Sequence, residues 1–526
     1  MTFHPLSSRR RRAGLGLALA VALGASALSA PAALAAADCW DDAPFDIDGG
    51  GPDVVIGFPS YDPPGARDAG AIVVFSNVGA VNSSKPRTPT GHRVYTADDF
   101  GLTVQSGARF GTALFAVSDD ALHEDGDDCA DLFVGAPGTR IGGLSGAGRV
   151  YLLGGGTGGM KRDVMSSIDA ASLGVVDGLQ AGGSFGAAIS VSGGVIAIGE
   201  PGRNVDGATA AGRVVRIDHQ VVGPDPVITA ITQGGGAEAG DRFGEVLDAF
   251  ATWQGPVIVV GVPHENVGSR VDAGAVALIA PDDTVSLVTQ NSPKMAGTAE
   301  TGDLFGSSLD SFATFTTHPV IRVAAGAPGE DIGDYSDAGL VGWTAIDLLD
   351  SPDRVAPLRG TGITVTQNSR GVPGSIETGD RFGASLILGE YGTDGGRRHL
   401  VVGSPTENVG SLVDAGVASL TRVDETGAGL GTPAGWSQDS PGVAGAAERG
   451  DQAGSALSSV RLARPVDDDD VTWQLVLVTV PREDRGGVVD AGLAYLGVPG
   501  GPFVTLTPPI TQTGTGIGMV PMSTEW

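Results

Sequence analysis

The amino-acid sequence predicts an all-β protein, a seven-bladed β-propeller of four-stranded antiparallel blades. Three observations carry this prediction. A short apolar run that ends in a small residue and a proline occurs seven times, and an Ala-Gly pair follows each copy after a turn-rich loop. Each repeat has room for about four short strands. No segment shows the apolar spacing of an amphipathic helix. Repeats of this kind are typical of radial arrays of small sheets.

The seven apolar runs mark the second strand of each predicted blade. They are VVIGFP (54–59), LFVGAP (132–137), IAIGEP (196–201), VIVVGVP (257–263), RVAAGAP (322–328), LVVGSP (400–405) and LVLVTVP (475–481). The glycines of the Ala-Gly pairs are Gly70, Gly148, Gly212, Gly274, Gly339, Gly416 and Gly492. Because proline has no N–H to donate, it ends each strand, and the next apolar run begins the third strand.

A second phrase precedes most of the units. It reads EAGDRFG at 238–244, ETGDLFG at 300–306 and ETGDRFG at 377–383, with Phe110 and Phe185 before a glycine in two further copies. In the last full copy, Ala453-Gly454 fills this position. A phenylalanine can bury about 150–250 Å² against a neighbouring blade, and the glycine allows two backbones to approach closely. We interpret the phrase as a packing element between blades.

The two ends of the chain predict how the ring closes. The first unit lacks a Phe-Gly strand, whereas the C-terminal segment continues with TGTGIGMVPM, where Ile517 and Gly518 repeat the spacing. We expect this tail to supply the inner strand of blade 1, so that N- and C-terminal segments together close the propeller.

The N-terminus predicts export. Arg9–Arg12 form a basic region, an apolar stretch follows, and Ala33-Leu34-Ala35 fits a signal-peptidase site. Residues 1–37 are therefore interpreted as a removed signal peptide and 38–526 as the secreted propeller, with Sec and twin-arginine export both open. In an oxidising compartment Cys39 and Cys129 are expected to form a disulfide, and free buried thiols are the alternative.

Charge limits the partners. The chain has 61 Asp and Glu against 32 Lys and Arg, a net charge of −29. This excess speaks against nucleic acid and anionic membranes, and it favours cations and neutral or basic ligands. No segment after the signal peptide is long and apolar enough for membrane insertion.

The recurring Phe-Gly phrase, loop and Gly-Ala-Pro run together resemble the FG-GAP repeat of the integrin α-subunit head, here in a bacterial-type secreted form. The resemblance implies calcium sites in loops with an Asp-x-Asp-x-Asp-Gly-x-x-Asp pattern, since calcium prefers six to eight oxygen ligands. Two loops approach this pattern: HEDGDDCADLF, with Asp125, Asp127 and Asp131, and FDIDGGGPD, with Asp46, Asp48 and Asp53. Acidic turns that only solubilise the rim are the alternative.

Four loops after the proline carry an acid followed seven residues later by the aspartate of Asp-Ala-Gly. The pairs are Glu265 with Asp272, Glu330 with Asp337, Glu407 with Asp414, and Glu483 with Asp490. The resemblance places these loops on the ligand-binding face. They could form an acidic rim that recognises a ligand, or each aspartate could hold its own turn by hydrogen bonds. The identical spacing favours the local structural role.

The sequence therefore predicts a secreted, non-catalytic binding or adhesion module that recognises an extracellular protein or polysaccharide through its face loops. No acid, base or nucleophile set stands outside the repeat pattern. The alternatives are a polysaccharide hydrolase or lyase that uses the central channel, since propellers host such chemistry, and a passive structural protein of the cell envelope. The ligand and the oligomeric state are not determined by the sequence.

Overall fold

The computed structural model of the protein describes the following residues. They are 39, 45–79, 85–117, 129–219, 226–252, 255–293, 295, 297–314, 320–348, 355–358, 362–389, 391, 398–424, 427–443, 445–462, 474–498, 501–516, 520–521 and 523–524. All of them belong to one compact unit, Ala37–Trp526. The predicted signal peptide, 1–37, and two of the candidate calcium ligands, Asp125 and Asp127, lie outside the described residues.

The first three blades follow one another in the chain. Blade 1 contains β1 (Val54–Phe58), β2 (Ala71–Ser76) and β3 (Gly91–Tyr95), and a 3-10 helix, Ala97–Phe100, follows it. Blade 2 contains β4 (Ala113–Val117), β5 (Asp131–Ala136), β6 (Arg149–Leu153) and β7 (Val164–Ile168). Blade 3 contains β8 (Ile189–Ser192), β9 (Val195–Glu200), β10 (Arg213–Asp218) and β11 (Val227–Ile231).

Blades 4 and 5 repeat the arrangement, with one irregularity in blade 5. Blade 4 contains β12 (Val246–Thr252), β13 (Gly255–Val262), β14 (Ala275–Ile279) and β15 (Val285–Val288). Blade 5 contains β16 (Leu309–Thr314), β17 (Val320–Ala327), β18 (Leu340–Leu348) and β19 (Val355–Leu358). The short strand β20 (Ile363–Val365) also pairs with β18, so two strands share the outer edge of this blade.

Blades 6 and 7 complete the ring. Blade 6 contains β21 (Ser385–Gly389), β22 (His399–Ser404), β23 (Val417–Asp424) and β24 (Gly427–Trp436). Blade 7 contains β25 (Leu457–Arg461), β26 (Gln474–Val480), β27 (Leu493–Gly497) and β28 (Phe503–Leu506). Two last strands, β29 (Val520–Pro521) and β30 (Ser523–Thr524), lie at the C-terminus. The structure thus confirms the all-β, seven-bladed propeller.

The burial of the strands follows their position in the blade. The second strands β5, β9 and β22 are buried along their whole length, because each lies between two neighbouring blades. Their sequences are accordingly continuous apolar runs rather than alternating ones. Outer strands such as β3 and β7 are partly exposed and more polar. The hydrophobic core is therefore divided into clusters between adjacent blades.

The Phe-Gly phrase joins each blade to the one before it. The N–H of Phe243 donates to the carbonyl of Ala211 at 2.9 Å, and its side chain is fully buried. Phe305 and Phe382 make the same bond to Ala273 and Ala338. The phenylalanine lies just before the inner strand rather than within it, as the bridge between Phe243 and Gly212 shows.

Close backbone contact explains the glycines of this junction. Gly244, which follows Phe243, has φ 93°. A Cβ at Gly199 would lie 1.9 Å from the carbonyl oxygen of Gly244. No side chain fits at that distance, so glycine is required on both sides of the junction.

Both ends of the chain close the ring, as the sequence predicts. β29 pairs with β1 antiparallel and supplies the inner strand of blade 1. β30 pairs in parallel with β4, the inner strand of blade 2. At the other end, the N–H of Ala130 donates to the carbonyl of Asp46 at 2.8 Å, which ties the N-terminal segment to blade 2. Ile517 and Gly518, which suggested this closure, lie outside the described residues.

The antiparallel order of strands defines two faces. The loops between second and third strands and the connections between blades lie on one face, here called the upper face. The other loops lie on the lower face. Among the described residues, no helix is long and apolar enough to cross a membrane.

Candidate functional site

The upper face carries seven loops of equal length. Each links the second and third strands of its blade and spans twelve residues. The loops are 59–70, 137–148, 201–212, 263–274, 328–339, 405–416 and 481–492. In six of them a short bridge closes a tight turn at the tip, as between Val267 and Arg270. The equal lengths place equivalent residues at equivalent points around the ring.

Hydrogen bonds fix the backbone of these loops. The N–H of Asp272 donates to Asn266 Oδ1 at 3.0 Å, and Asp414 bonds Asn408 in the same way. Asp272 and Asp414 have φ near +50°, a conformation that aspartate tolerates better than most residues. In both loops it is therefore the main-chain N–H of the aspartate, and not its carboxylate, that makes the hydrogen bond within the turn.

The tips of the loops expose apolar side chains. Leu144, Val271, Tyr335, Val413 and Val489 are 37–54% exposed. Eight large hydrophobic side chains reach that level of exposure among the described residues, and five of them lie on these loops. The upper face thus combines apolar tips with many acids, while the rest of the described surface has few exposed apolar residues of this size.

Beneath the tips, four junctions between blades contain a glutamine, a glutamate and an aspartate. We call each set an interblade acid site. The four sets are Gln233, Glu265 and Asp241; Gln290, Glu330 and Asp303; Gln367, Glu407 and Asp380; Gln438, Glu483 and Asp451. In each set, the glutamine Nε2 donates to the glutamate Oε2 at 2.5–2.7 Å.

The aspartate of each interblade acid site is almost completely buried beside the glutamate. Asp380 Oδ2 accepts the N–H of Glu377 at 2.6 Å, and the carboxyl groups of Asp380 and Glu407 lie at hydrogen-bonding distance from each other. Burial raises the pKa of Glu407 to about 7, and it raises the pKa of Asp380 to about 6. Asp303 and Glu330 form the same kind of pair.

In the structure, the glutamate after each proline does not pair with the aspartate seven residues later, as its sequence spacing had suggested. The glutamates Glu265, Glu330, Glu407 and Glu483 bond the interblade glutamines. Asp272, by contrast, lies at the surface, where its carboxylate is 3.1 Å from His264 Nδ1. The partner of each glutamate is the aspartate of the preceding Phe-Gly phrase.

The lower face brings Asp46, Asp48 and Asp53 together. One carboxylate oxygen from each lies within 4.8 Å of the other two. Asp53 accepts the N–H groups of Ile47, Asp48 and Asn77, which fold the turn around it. Burial and the nearby charge of Asp48 raise the pKa of Asp53 well above its usual value. Three carboxylate oxygens at this separation fit a calcium ion, since the cation would offset their repulsion.

The second predicted calcium loop is described only in part. Asp131 is buried at the start of β5, and its Oδ1 accepts the N–H of Gly155 at 3.1 Å. Asp125 and Asp127 lie outside the described residues. Cys129, two residues before Asp131, forms a disulfide with Cys39, as the sequence predicts for an oxidising compartment. The bond fixes the N-terminal segment to the lower face of blade 2.

The central channel contains a carboxyl pair that sequence reasoning missed. Asp248 on β12 and Asp310 on β16 line a cavity of about 160 Å³. The Ser311 N–H donates to Asp248 Oδ2 at 2.9 Å and to Asp310 Oδ1 at 2.8 Å. Burial raises the pKa of Asp248 to about 6, and burial together with Asp248 raises that of Asp310 well above its usual value.

A signal for this pair exists in the repeat. Asp248 and Asp310 each lie four residues after the glycine of a Phe-Gly phrase. The other described inner strands carry Phe115, Ser190, Ile387 and Ser458 at that position. All six residues line the same cavity. Aligning the repeats and looking for acids at channel-facing positions would have found the two aspartates.

Comparison with known proteins gives no family. No protein-family model matches the chain, and no curated protein sequence matches it. Among solved structures, the periplasmic gluconolactonase PpgL of Pseudomonas aeruginosa is similar with a TM-score of 0.37 and 13% identity, over 87% of this chain and 100% of that chain. A leech intramolecular trans-sialidase complexed with 2,7-anhydro-Neu5Ac has a TM-score of 0.24 and 8% identity, over 85% of this chain and 81% of that chain. At these values neither structure informs the activity of this chain.

Proposed function

We propose that the protein is a secreted, non-catalytic binding module that holds an extracellular protein or polysaccharide on the upper face of the propeller. The carrying observation is the ring of equal loops whose tips expose Val271, Tyr335, Val413 and Val489. Exposed apolar residues that cluster on one face mark an interaction surface more often than scattered ones do. Loops on a rigid scaffold are also a common place for binding residues.

Calcium belongs to this proposal on the lower face. Asp46, Asp48 and Asp53 would hold the ion, and Asp131 with Asp125 and Asp127 would form a second site by resemblance to the FG-GAP repeat. An ion at Asp46, Asp48 and Asp53 would stabilise the turn before β1 by offsetting the repulsion of the three carboxylates. The ligand-binding surface itself lies on the opposite face.

Binding of the labelled chain to cell walls, polysaccharides and matrix proteins tests the proposal. A variant with Val271→Ser, Tyr335→Ser, Val413→Ser and Val489→Ser should lose at least tenfold in affinity. The matched control replaces Val227 and Leu287, which are exposed to a similar degree on outer strands, by serine. We expect the control to bind like the unaltered protein. Equal binding by both variants, or no binding by the unaltered protein to any surface tested, would count against the proposal.

The same assay in EDTA separates the role of calcium. If calcium orders the lower-face turn, Asp53→Asn should lower the melting temperature measured in calcium, and EDTA should then lower it by less than in the unaltered protein. Binding that survives EDTA would support an upper-face module whose affinity does not depend on calcium.

A second candidate function is favoured by the channel aspartates. Two carboxyl groups that differ in protonation can act as general acid and general base, as in many hydrolases. A polysaccharide hydrolase would therefore use Asp248 and Asp310. A hydrolase screen tests this idea, because activity that disappears in Asp310→Asn and persists in Ser458→Ala would assign the chemistry to the pair.

A further inference from the structure

We propose that each of the four interblade acid sites binds one divalent cation of the calcium class, between neighbouring blades on the upper face. These sites are distinct from the lower-face cluster of Asp46, Asp48 and Asp53. Their ligands are the glutamine carbonyl oxygen and the carboxylates of the glutamate and aspartate. The proposal does not depend on the function proposed above.

The first argument comes from the units that lack the site. Where four units have a glutamate two residues after the proline, the other three have Tyr61, Thr139 and Arg203. Where the same four have an aspartate in the Phe-Gly phrase, the other three have Thr515, Ala108 and Gly183. Both acids are thus present together or absent together in all seven units. A pair of independent turn-stabilising acids would not need to occur together.

The second argument is an unpartnered buried oxygen. Gln290, Gln367 and Gln438 are only 1–4% exposed, and Gln233 is 7% exposed. The Oε1 atom of each has no hydrogen-bond donor. Leaving a buried carbonyl oxygen unpaired is unfavourable, because it has lost its hydrogen bonds to water. A bound cation would supply the missing partner.

The end of the glutamine side chain that carries this oxygen lies beside the acids. The glutamine Nε2 already donates to the glutamate, so the end of the amide group lies against the carboxyl pair. The opposite orientation would set Oε1 against a glutamate oxygen at the same short distance. In two units without the acids, Gln180 Oε1 and Gln512 Oε1 instead accept main-chain N–H groups of the loop. The carbonyl is therefore left without a donor where the acids are present.

The third argument is the repulsion between the two carboxyl groups. Asp380 and Glu407 lie at hydrogen-bonding distance, and Asp380 Oδ1 is buried without a donor, as is Asp241 Oδ1 in another site. Two carboxylates at this distance need a shared proton or a cation between them. A cation between the two carboxylates would also supply the partner that the glutamine oxygen lacks in this structure. Hard oxygen ligands carrying two negative charges suit calcium.

Calcium titration of the full chain tests the proposal. After dialysis against a chelator, isothermal titration calorimetry with calcium chloride should detect at least four sites in the Asp53→Asn variant, which disables the lower-face cluster. Adding Glu407→Gln to this variant should lower the number of bound calcium ions by one. The matched control, Asp414→Asn, removes one charge from the same loop and should retain every site.

Two results would overturn the proposal. The first is uptake of fewer than four calcium ions by the Asp53→Asn variant. The second is binding of as many ions by Glu407→Gln as by Asp414→Asn, which would make any loss an effect of general charge. Even if Glu407→Gln fails to fold, the number of calcium ions bound by the Asp53→Asn variant, whose interblade sites are intact, tests the proposal.

Discussion

The carboxylates of Asp248 and Asp310 accept hydrogen bonds from the same main-chain N–H, that of Ser311, at 2.9 and 2.8 Å. The two residues lie at equivalent positions on the inner strands of neighbouring blades, so the propeller fold places them side by side on the wall of the channel. Ser311 Oγ also donates to Asp248 Oδ2. Two buried carboxyl groups that share one donor cannot both be ionised without a large repulsion.

The first prediction is a change in pH dependence when Asp248 is replaced by asparagine. The pKa of Asp248 is about 6 in the folded protein and near 3.8 in the unfolded chain. As pH rises from about 4 to about 6, the unfolded chain has already lost this proton while the folded protein still holds it, so stability falls. Asp248→Asn removes this titration. The free energy of unfolding of the variant, relative to that of the unaltered protein, should therefore be roughly 1–3 kcal/mol higher at pH 7 than at pH 4.

Urea unfolding at pH 4 and pH 7 measures this effect. The control is Asp282→Asn, which removes the same charge at an exposed position. It should change stability by little at either pH. A stability difference between Asp248→Asn and the unaltered protein that is the same at both pH values would contradict the raised pKa.

The second prediction concerns the packing role of the Phe-Gly phrase. Phe243 is completely buried in the cluster between blades 3 and 4, beside Val214 and Ile258. Phe243→Ala should lower the free energy of unfolding by about 3–5 kcal/mol, because it removes a buried aromatic ring and leaves a cavity. Alanine is compatible with the backbone here, since Ala453 occupies the same position before blade 7 and makes the same hydrogen bond to Ala415.

Chemical denaturation of Phe243→Ala provides the measurement, with Leu287→Ala as control. Leu287 is 37% exposed on an outer strand, so its truncation should cost much less. Similar losses for both variants would show that the phrase has no special role in joining blades.

The fold could be predicted from the sequence because the motif that specifies one blade is repeated along the chain. Seven copies of an apolar run, a proline and an Ala-Gly pair determine the number of blades even where one copy is irregular. The details that escaped prediction are not repeated: the 3-10 helix Ala97–Phe100, the extra strand β20 and the parallel strand β30 each occur once. Single features of this kind depend on tertiary contacts that no internal comparison reveals.

The candidate sites were predicted less well, for a different reason. Sequence spacing paired Glu407 with Asp414, seven residues away, whereas the structure pairs Glu407 with Asp380 from the previous connection. The grouping crosses from one blade to the next, and so does the pairing of Asp248 with Asp310. Asp46, Asp48 and Asp53 were found from sequence because all three lie in one short turn.

The third prediction concerns the disulfide Cys39–Cys129, which closes a loop of 90 residues. Replacing both cysteines by serine should lower stability by about 2–5 kcal/mol, because the unfolded chain gains conformational freedom. Thermal unfolding with and without a reducing agent measures it. The unaltered protein in reductant should match the double variant, and the double variant should not respond to reductant. A double variant as stable as the oxidised protein would contradict the expectation.

The fourth prediction concerns closure of the ring. Removal of residues 513–526 takes away β29 and β30, which leaves the edge of β1 without its antiparallel partner. An unpaired inner edge in a propeller loses main-chain hydrogen bonds and exposes a strand to pairing with other chains. We expect the melting temperature to fall by many degrees and aggregation to increase. A chain that ends at residue 524 retains both strands and should melt like the intact protein. If the chain lacking 513–526 also melted unchanged, the C-terminal strands would contribute nothing to closure, and the ring would have to be held by the interblade junctions alone.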